Sequence, residues 1–160
     1  DSNAKKKIYG LKGQSTAFAK VGSYADATVG DVILDAVAQA KKNGFVANVA
    51  ICSFATEAEL KGLKDNNGNY IYNQLTGMLA GVRILPSAAI GATEILVADS
   101  RCAKVLRRPS IEVEITRDAD LDGWKVNVRK AVQTKVKAAH KLGLIYVADG
   151  TTAVAAIKKA

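Results

Sequence analysis

Few residues in this sequence could do chemistry, and their spacing fits neither catalysis nor metal binding. The chain has one histidine, His140, and two cysteines, Cys52 and Cys102. His140 has no cysteine or carboxylate cluster near it in sequence, and the cysteines lie far apart in separate apolar stretches, so the spacing of a zinc site or an activated nucleophile is not met. We expect two buried, reduced thiols, which fits folding in a cytoplasmic compartment. The sequence therefore predicts no enzyme, no metal and no cofactor.

Two short motifs look like ligand loops but lack the residues that would hold the ligand. Residues 10–13, Gly-Leu-Lys-Gly, lack the Lys-Ser/Thr ending of a phosphate-binding loop. Asp118, Asp120 and Asp122 alternate as in a calcium loop, but the bidentate glutamate expected near the end of such a loop is absent. We interpret the three aspartates as caps for the N-terminus of a helix that follows them.

Positive charge is concentrated in one segment. The chain carries 23 basic and 15 acidic residues, a net charge of +8, and no acidic residue lies between Asp122 and Asp149. We expect the basic residues of that segment to share one face of a helix: Lys125, Arg129, Lys130, Lys137 and Lys141. The face lacks interleaved aromatic residues, which favours a solvated or subunit-pairing surface. Binding of nucleic-acid phosphates is the alternative.

Length and composition fit one globular domain. The sequence has 160 residues, of which 49% are hydrophobic and 24% charged. A chain of this length buries roughly 68–70% of its unfolded surface, and no window approaches the roughly 20 apolar residues of a membrane span. No secretory signal pattern is visible. We interpret residues 1–4 as a remnant of tag cleavage and residues 5–27 as an extended lead-in.

Periodicity predicts helices and strands in the first half. Apolar residues recur at helical spacing from Asp31, a good N-cap, as far as Asn43 and Gly44, which stop the helix. The apolar run 45–54 predicts a central buried strand. Thr56 and Glu59 then match a capping box at the start of a second helix.

That second helix runs into a loop, residues 63–72, Leu-Lys-Asp-Asn-Asn-Gly-Asn-Tyr-Ile-Tyr. Its short polar side chains and glycine tolerate left-handed backbone angles, so the chain leaves the helix sharply and begins a strand at the tyrosines. The loop supplies the candidate contacts between subunits: Lys64, Asp65, Asn66, Asn67, Asn69, Tyr70 and Tyr72. The alternative is a well-capped turn with one tyrosine in the core and the other in water.

The second half predicts more strands and one long helix. Strands are expected at 81–86, 94–98, 103–106 and 111–116, and the last alternates apolar and polar residues. A helix is expected over 121–142, with Trp124, Val128, Val132, Val136 and Ala139 along one face. Strands at 144–147 and 154–157 close the fold, although the latter segment could be a short helix. The predicted fold class is α+β, a mixed sheet with helices packed on it.

Several blocks, in this order, resemble the major capsid proteins of tailed bacteriophages, the Hong Kong 97-type fold. They are Gly10-Leu11, the helix from Asp31, Leu63-Lys64-Asp65-Asn66 with Gly68, Tyr70 and Ile71, Gly81 with Ile84 and Pro86, Asp99-Ser100, the strand 111–118, and Trp124 with Asn127. The resemblance implies an axial-type domain over 28–108, a peripheral-type strand and helix over 109–142, and a return to the axial type over 143–160. The family's N-terminal arm, extended loop and spine helix would precede Asp1.

The resemblance also implies function and partners. We expect a capsid protein that assembles into a shell through other copies of itself, as pentamers and hexamers in the full-length form, with scaffolding, portal and protease proteins as further partners. It would contact packaged DNA only indirectly and no membrane. Asn127 falls at the asparagine position that some family members crosslink, but Thr134 stands where their catalytic glutamate would be, so covalent crosslinking is not predicted. A basic nucleic-acid-binding α/β domain is the alternative function.

Overall fold

The structure is a computed structural model that describes residues 10–65, 67–107, 111–118 and 122–159. Its helices are α1 (Val29–Lys42), α2 (Phe54–Gly62) and α3 (Gly150–Ile157). Its strands are β1 (Thr16–Ala17), β2 (Val49–Cys52), β3 (Met78–Leu79), β4 (Val82–Pro86), β5 (Ile95–Ala98), β6 (Ala103–Arg107), β7 (Glu112–Asp118), β8 (Gly123–Arg129), β9 (Val132–Val136) and β10 (Leu144–Val147). Short 3₁₀ segments cover Lys12–Gln14 and Ala138–Gly143.

Six strands form one mixed sheet in the order β1-β10-β5-β2-β4-β3. The pairs β1–β10 and β2–β4 are parallel, whereas β10–β5, β2–β5 and β3–β4 are antiparallel. The parallel pair β2–β4 needs a crossover, which α2 and the loop after it provide. The sheet and its helices confirm the predicted α+β class with a mixed sheet.

The core lies where α1 packs on the centre of the sheet. Val32, Ile33 and Ala36 of α1 have no exposed surface, nor do Ile95 and Val97 of β5. The helix also contacts α2, α3 and β10. Because α1 carries its apolar residues at helical spacing, one face can be buried along most of its length.

Polar side chains of α1 hold the lead-in segment in place. The Asp35 carboxylate has no exposed surface and accepts hydrogen bonds from the backbone N–H groups of Val21, at 2.9 Å, and Gly22, at 2.6 Å. The Gln39 side chain accepts from the Ala19 N–H at 2.9 Å and donates to the Ala17 carbonyl at 3.1 Å. These bonds satisfy backbone groups that have no strand partner, so the lead-in is extended yet anchored.

Two two-stranded ribbons form no strand pairs with the six-stranded sheet, although Val136 of β9 packs against Ala98 and Leu144 of that sheet. One is β6 with β9 and the other is the hairpin β7–β8, and both are antiparallel. A two-stranded ribbon has no second layer of its own, and the β7–β8 hairpin leaves all its apolar side chains exposed.

The predicted helix over 121–142 is wrong. The described part of that segment forms β8, β9 and the 3₁₀ turn Ala138–Gly143. Trp124, Val128, Val132 and Val136 are spaced by four, which is compatible with a helix but is also an even number, so it equally fits one face of a strand. The β-branched residues decide for strands, because their χ1 freedom is restricted in a helix and they pack well on a pleated surface.

Several element boundaries also differ from the prediction. The N-cap of α1 is Thr28, with Asp31 completing the capping box, rather than Asp31 alone. The N-cap of α2 is Ser53, whose hydroxyl accepts from the Thr56 N–H at 3.1 Å, so the pairing of Thr56 with Glu59 is not the capping box. The predicted strand over 45–54 shortens to β2.

The segment 154–157, predicted first as a closing strand, lies in α3. Asp149 caps this helix by accepting from the N–H groups of Thr151 and Thr152. A short apolar run does not distinguish a strand from a buried helix, so the cap decides. Tyr70 and Tyr72 begin no strand, since this stretch has only an isolated bridge between Lys64 and Tyr70.

Candidate interaction surfaces

The loop over 63–72 is a turn organised around one carboxylate. Asp65 accepts from the N–H groups of Asn67, at 2.9 Å, and Asn69, at 2.8 Å. The bond from Asn69 is the main reason that the pKa of Asp65 is lowered. Gly68 has φ of +82°, in the left-handed region that glycine adopts without strain. The turn is thus held by its own polar groups and does not depend on a ligand.

The loop exposes most of its predicted contact residues. Lys64, Asp65, Asn67, Asn69 and Tyr70 are exposed. The ammonium of Lys64 lies 4.8 Å from the centre of the Tyr70 ring, a cation–π distance. Asn66 lies outside the described residues. Their role as contacts between subunits stays a prediction.

The two tyrosines face opposite environments. Tyr70 is 55% exposed, whereas Tyr72 is 3% exposed and belongs to the core. This confirms that one tyrosine packs in the core while the other faces solvent. In this structure only Tyr70 offers its ring to a partner, and burial raises the pKa of the Tyr72 phenol.

The sequence prediction missed an exposed apolar residue beside this loop. Leu75 is 99% exposed and stands on a turn in which the Asn73 side chain accepts from the N–H groups of Leu75, at 3.1 Å, and Thr76, at 3.2 Å. Gly77 closes the turn with φ of +65°. A leucine inside the polar turn Asn-Gln-Leu-Thr-Gly was the signal that could have pointed to it. Together Leu75 and the exposed residues of 64–70 form what we call the loop surface.

The β7–β8 hairpin has one apolar and one polar face. Its cross-strand register pairs Val113 with Val128 and Ile115 with Val126 on one face, and Glu112 with Arg129 on the other. All the apolar side chains are exposed, from 57% at Val126 to 73% at Trp124. The half-buried strand predicted over 111–116 is therefore a strand with an uncovered apolar face in this chain.

The five residues predicted to form one basic face are distributed over β8, the 3₁₀ segment and the connections next to β8 and β9. Lys125 and Arg129 lie on the polar face of the hairpin, where Arg129 is 3.4 Å from Glu114. Lys130 follows β8, Lys137 precedes the 3₁₀ segment and Lys141 lies within it. The single basic helix face does not exist because the helix that would carry it does not form. Asn127 lies on β8 and Thr134 on β9.

Of the residues able to do chemistry, His140, Cys102 and Asp99 line one cavity, and Cys52 is not among its lining residues. Both cysteines are free and buried, and burial raises the pKa of the Cys52 thiol to about 11. The His140 ring packs edge-to-face on Phe45, with centroids 5.9 Å apart. Among the described residues, no three histidine, cysteine or acidic side chains are grouped as metal ligands.

The predicted role of the three aspartates as helix caps is wrong, since no helix follows them. Asp122 forms an ion pair with Arg117 at 2.8 Å across the hairpin end. The side chain of Asp118 and all of Asp120 lie outside the described structure.

Comparison with known structures identifies the fold. The fold is similar to that of a structure of Mycobacterium phage Che8, with 18% identity and a TM-score of 0.61 over 86% of this chain and 54% of that chain. It is similar to the capsid of an empty GTA particle, with 16% identity and a TM-score of 0.63 over 88% and 56%. It is also similar to a virus-like particle from Pyrococcus furiosus, with 12% identity and a TM-score of 0.52 over 81% and 56%. These likenesses define a capsid-type fold.

Sequence comparison identifies the family. The model of the phage capsid family matches residues 2–155, and the chain belongs to that family. This confirms the family predicted from the ordered motifs. No curated protein sequence matches the chain significantly. The chain spans about half the length of the solved structures it matches, 54% of one and 56% of another. None of the described helices has the length and apolar character to cross a lipid bilayer.

Proposed function

We propose that this chain is part of the major capsid protein of a tailed phage or prophage, a structural protein that forms an icosahedral shell by self-assembly. The observation that carries the proposal is the family match over residues 2–155. The α+β fold shared with capsid structures supports it. Nothing in the comparisons supports the alternative, a basic nucleic-acid-binding domain, and its main motivation, a single basic helix face, has been lost.

The mechanism we propose is repetition of the same contacts around symmetry axes. Heterologous contacts generate closed rings when the rotation closes, so pentamers and hexamers can share one set of surfaces. Burial of apolar surface contributes about 25 cal/mol per Å². Many modest interfaces, each reinforced by its neighbours, then give a stable particle. The protein performs this task without turnover, at the virion capsid.

Within the shell, we assign the six-stranded sheet and its three helices to the axial-type domain. The ribbons β6–β9 and β7–β8 would extend toward the peripheral-type domain. Support comes from the lack of strand pairing between the ribbons and the main sheet and from their two-stranded form, which suits elements completed by other parts of a longer protein. Scaffolding, portal and protease proteins remain proposed partners. Folding in the bacterial cytoplasm is likewise a proposal.

We propose the loop surface as one of the contacts between copies. Its turn is fixed by the hydrogen bonds of Asp65, so little conformational entropy is lost when a partner binds. Tyr70 offers an exposed aromatic ring and Leu75 an exposed aliphatic side chain. Aromatic and apolar anchors within a polar rim are the usual composition of an interface.

The experiment is assembly of the full-length gene product, followed by electron microscopy. Wild-type protein should form large closed particles, and persistent monomers under assembly conditions would count strongly against the proposal. Tyr70→Ala and Leu75→Ser should reduce the yield of particles while leaving the melting temperature of the subunit within about 2 °C, since exposed substitutions away from special features usually cost under about 0.5 kcal/mol.

Tyr72→Ala is the contrasting variant. Because Tyr72 is in the core, its truncation should destabilise the subunit by about 3 kcal/mol or more. If Tyr70→Ala and Leu75→Ser assemble as well as the wild type, the loop surface is a stable turn and not an interface. That result would leave the capsid function itself intact.

A further inference from the structure

A small cavity on the β6–β9 ribbon is lined by cations. Its volume is about 240 Å³, and its charged lining consists of Arg101, Lys104, Lys135 and Lys137. Leu106 is among the other lining residues. Among the described residues, no carboxylate lines the cavity. A concave site with low-dielectric walls concentrates the field of such charges.

The register of the ribbon forces two of these lysines together. Lys104 and Lys135 are direct cross-strand partners in the antiparallel pair β6–β9. Side chains at directly opposite positions leave on the same face with Cβ atoms about 5 Å apart, and like charges there are destabilising. Leu106 lies two residues along β6 from Lys104 and is therefore on that face as well. The ladder thus places these two exposed lysines side by side.

Protein groups do not neutralise this charge in the part of the chain that the structure describes. Arg101 is already paired with Asp99, at 2.7 Å. Within the described ranges, the other ion pairs involve Lys12, Lys61, Arg117 and Arg129, and not Lys104, Lys135 or Lys137. Among the described residues, the three lysines around this cavity are thus not the cations of these ion pairs.

We propose that this cavity is a binding site for a phosphate group. A tetrahedral dianion offers several acceptor oxygens to three ammonium groups, each with three donors, and offsets more of their charge than a single carboxylate would. The cavity is smaller than the roughly 300–1,000 Å³ of ordinary small-molecule pockets, so it suits one phosphate group and not a whole nucleotide. The group could be free inorganic phosphate or a phosphate of a nucleic-acid backbone. The site is independent of the loop surface and of shell assembly.

The test is titration of the 160-residue chain with inorganic phosphate at constant ionic strength, with chloride as the reference anion. Amide chemical shifts should move around residues 102–106 and 135–140, and calorimetry should give the affinity. Lys135→Gln should weaken phosphate binding about thirtyfold, the loss expected for one unit charge facing a dianion at about 4 Å in a solvated site. Lys20→Gln is the matched control, because Lys20 is exposed and is not among the lining residues.

A second readout keeps the proposal testable if the affinity is weak. In chloride, Lys135→Gln should melt at a higher temperature than the wild type, because it removes the repulsion between paired lysines. Phosphate should then raise the melting temperature of the wild type more than that of this variant. Equal shifts for wild type, Lys135→Gln and Lys20→Gln, or no shift of amides at the cavity, would overturn the proposal.

A short DNA duplex distinguishes the two sources of phosphate. If the duplex competes with inorganic phosphate, and its binding weakens in Lys135→Gln and with added salt, the backbone phosphate is the ligand. If it does not compete while inorganic phosphate still binds, the free ion is the ligand. Either outcome supports a phosphate site, and the absence of both kinds of binding contradicts it.

Discussion

The carboxylate of Asp99 is the best place to test the structure by pH. It follows β5, is 1% exposed, and accepts from the N–H groups of Arg101, at 3.0 Å, and Val46, at 3.3 Å. The Arg101 guanidinium donates to it at 2.7 and 3.1 Å. The side-chain bond from Arg101 is the main cause that lowers the pKa of Asp99 from 3.8 to about 2. Asp99 thereby joins the end of β5 to the segment between α1 and β2.

The lowered pKa sets the size and direction of the effect. A depressed pKa in the folded state means that the charged carboxylate stabilises the fold above pH 3.8, and that this stability is lost as the pH falls toward 2. The difference between the two pKa values corresponds to about 2 kcal/mol. Because the Arg101 side chain is 75% exposed, solvent screening reduces the expected value to about 1–2 kcal/mol.

Urea denaturation of Asp99→Asn and the wild type, at pH values from 3 to 7, measures this contribution. At pH 7 the variant should be less stable by about 1–2 kcal/mol, and near pH 3 roughly half of that pH-dependent difference should remain. Asp26→Asn, at an exposed position, is the control and should show no such difference. A difference between Asp99→Asn and wild type that is absent, or that is the same at every pH, would refute the role assigned to Asp99.

Two further predictions concern buried groups. Asp35→Ala should destabilise the chain by about 3 kcal/mol, because the N–H groups of Val21 and Gly22 lose their acceptor. Protease cleavage near these residues should accelerate. An unchanged midpoint of urea denaturation would contradict the anchoring of the lead-in. Cys52 should react with iodoacetamide at pH 8 only as fast as the protein unfolds, because its thiol is buried and its pKa is about 11. Rapid labelling of the folded chain, followed by mass spectrometry, would show that the thiol is accessible.

Elements whose pattern has a single interpretation could be predicted from the sequence. The helix α1 has apolar residues at 3.6-residue spacing and a glycine after its end. A strand would instead place its apolar residues at every second position. The strand β7 alternates Glu112, Glu114 and Thr116 with apolar residues, which a helix would scatter around its surface. In α1 local sequence and tertiary packing favour the same structure, whereas in β7 the alternation and the pairing with β8 are sufficient.

The segment 121–142 was predicted wrongly because most of its apolar spacing fits two structures. Apolar residues at 124, 128, 132 and 136 fit one face of a helix and one face of a strand, and Val126 between them fits only the strand. The predicted basic face was wrong as well, because it depended on the predicted helix. The caps of α2 show a related limit, since Ser53 and Thr56 are both good N-cap residues and the Ser53 hydroxyl is the one that accepts the amide bond.

The order of the motifs along the chain was enough to predict the family. Each motif specifies its own local backbone conformation, so it can be recognised without knowing which distant segments it contacts. Asp65 to Gly68 specify a turn wherever they are placed. Which side chains are exposed, and which come together in space, depends on the contacts between segments far apart in sequence. Only the tertiary structure buried Tyr72 while exposing Tyr70 and Leu75. It also brought Lys104 opposite Lys135, because strand register is set by pairing between segments far apart in sequence.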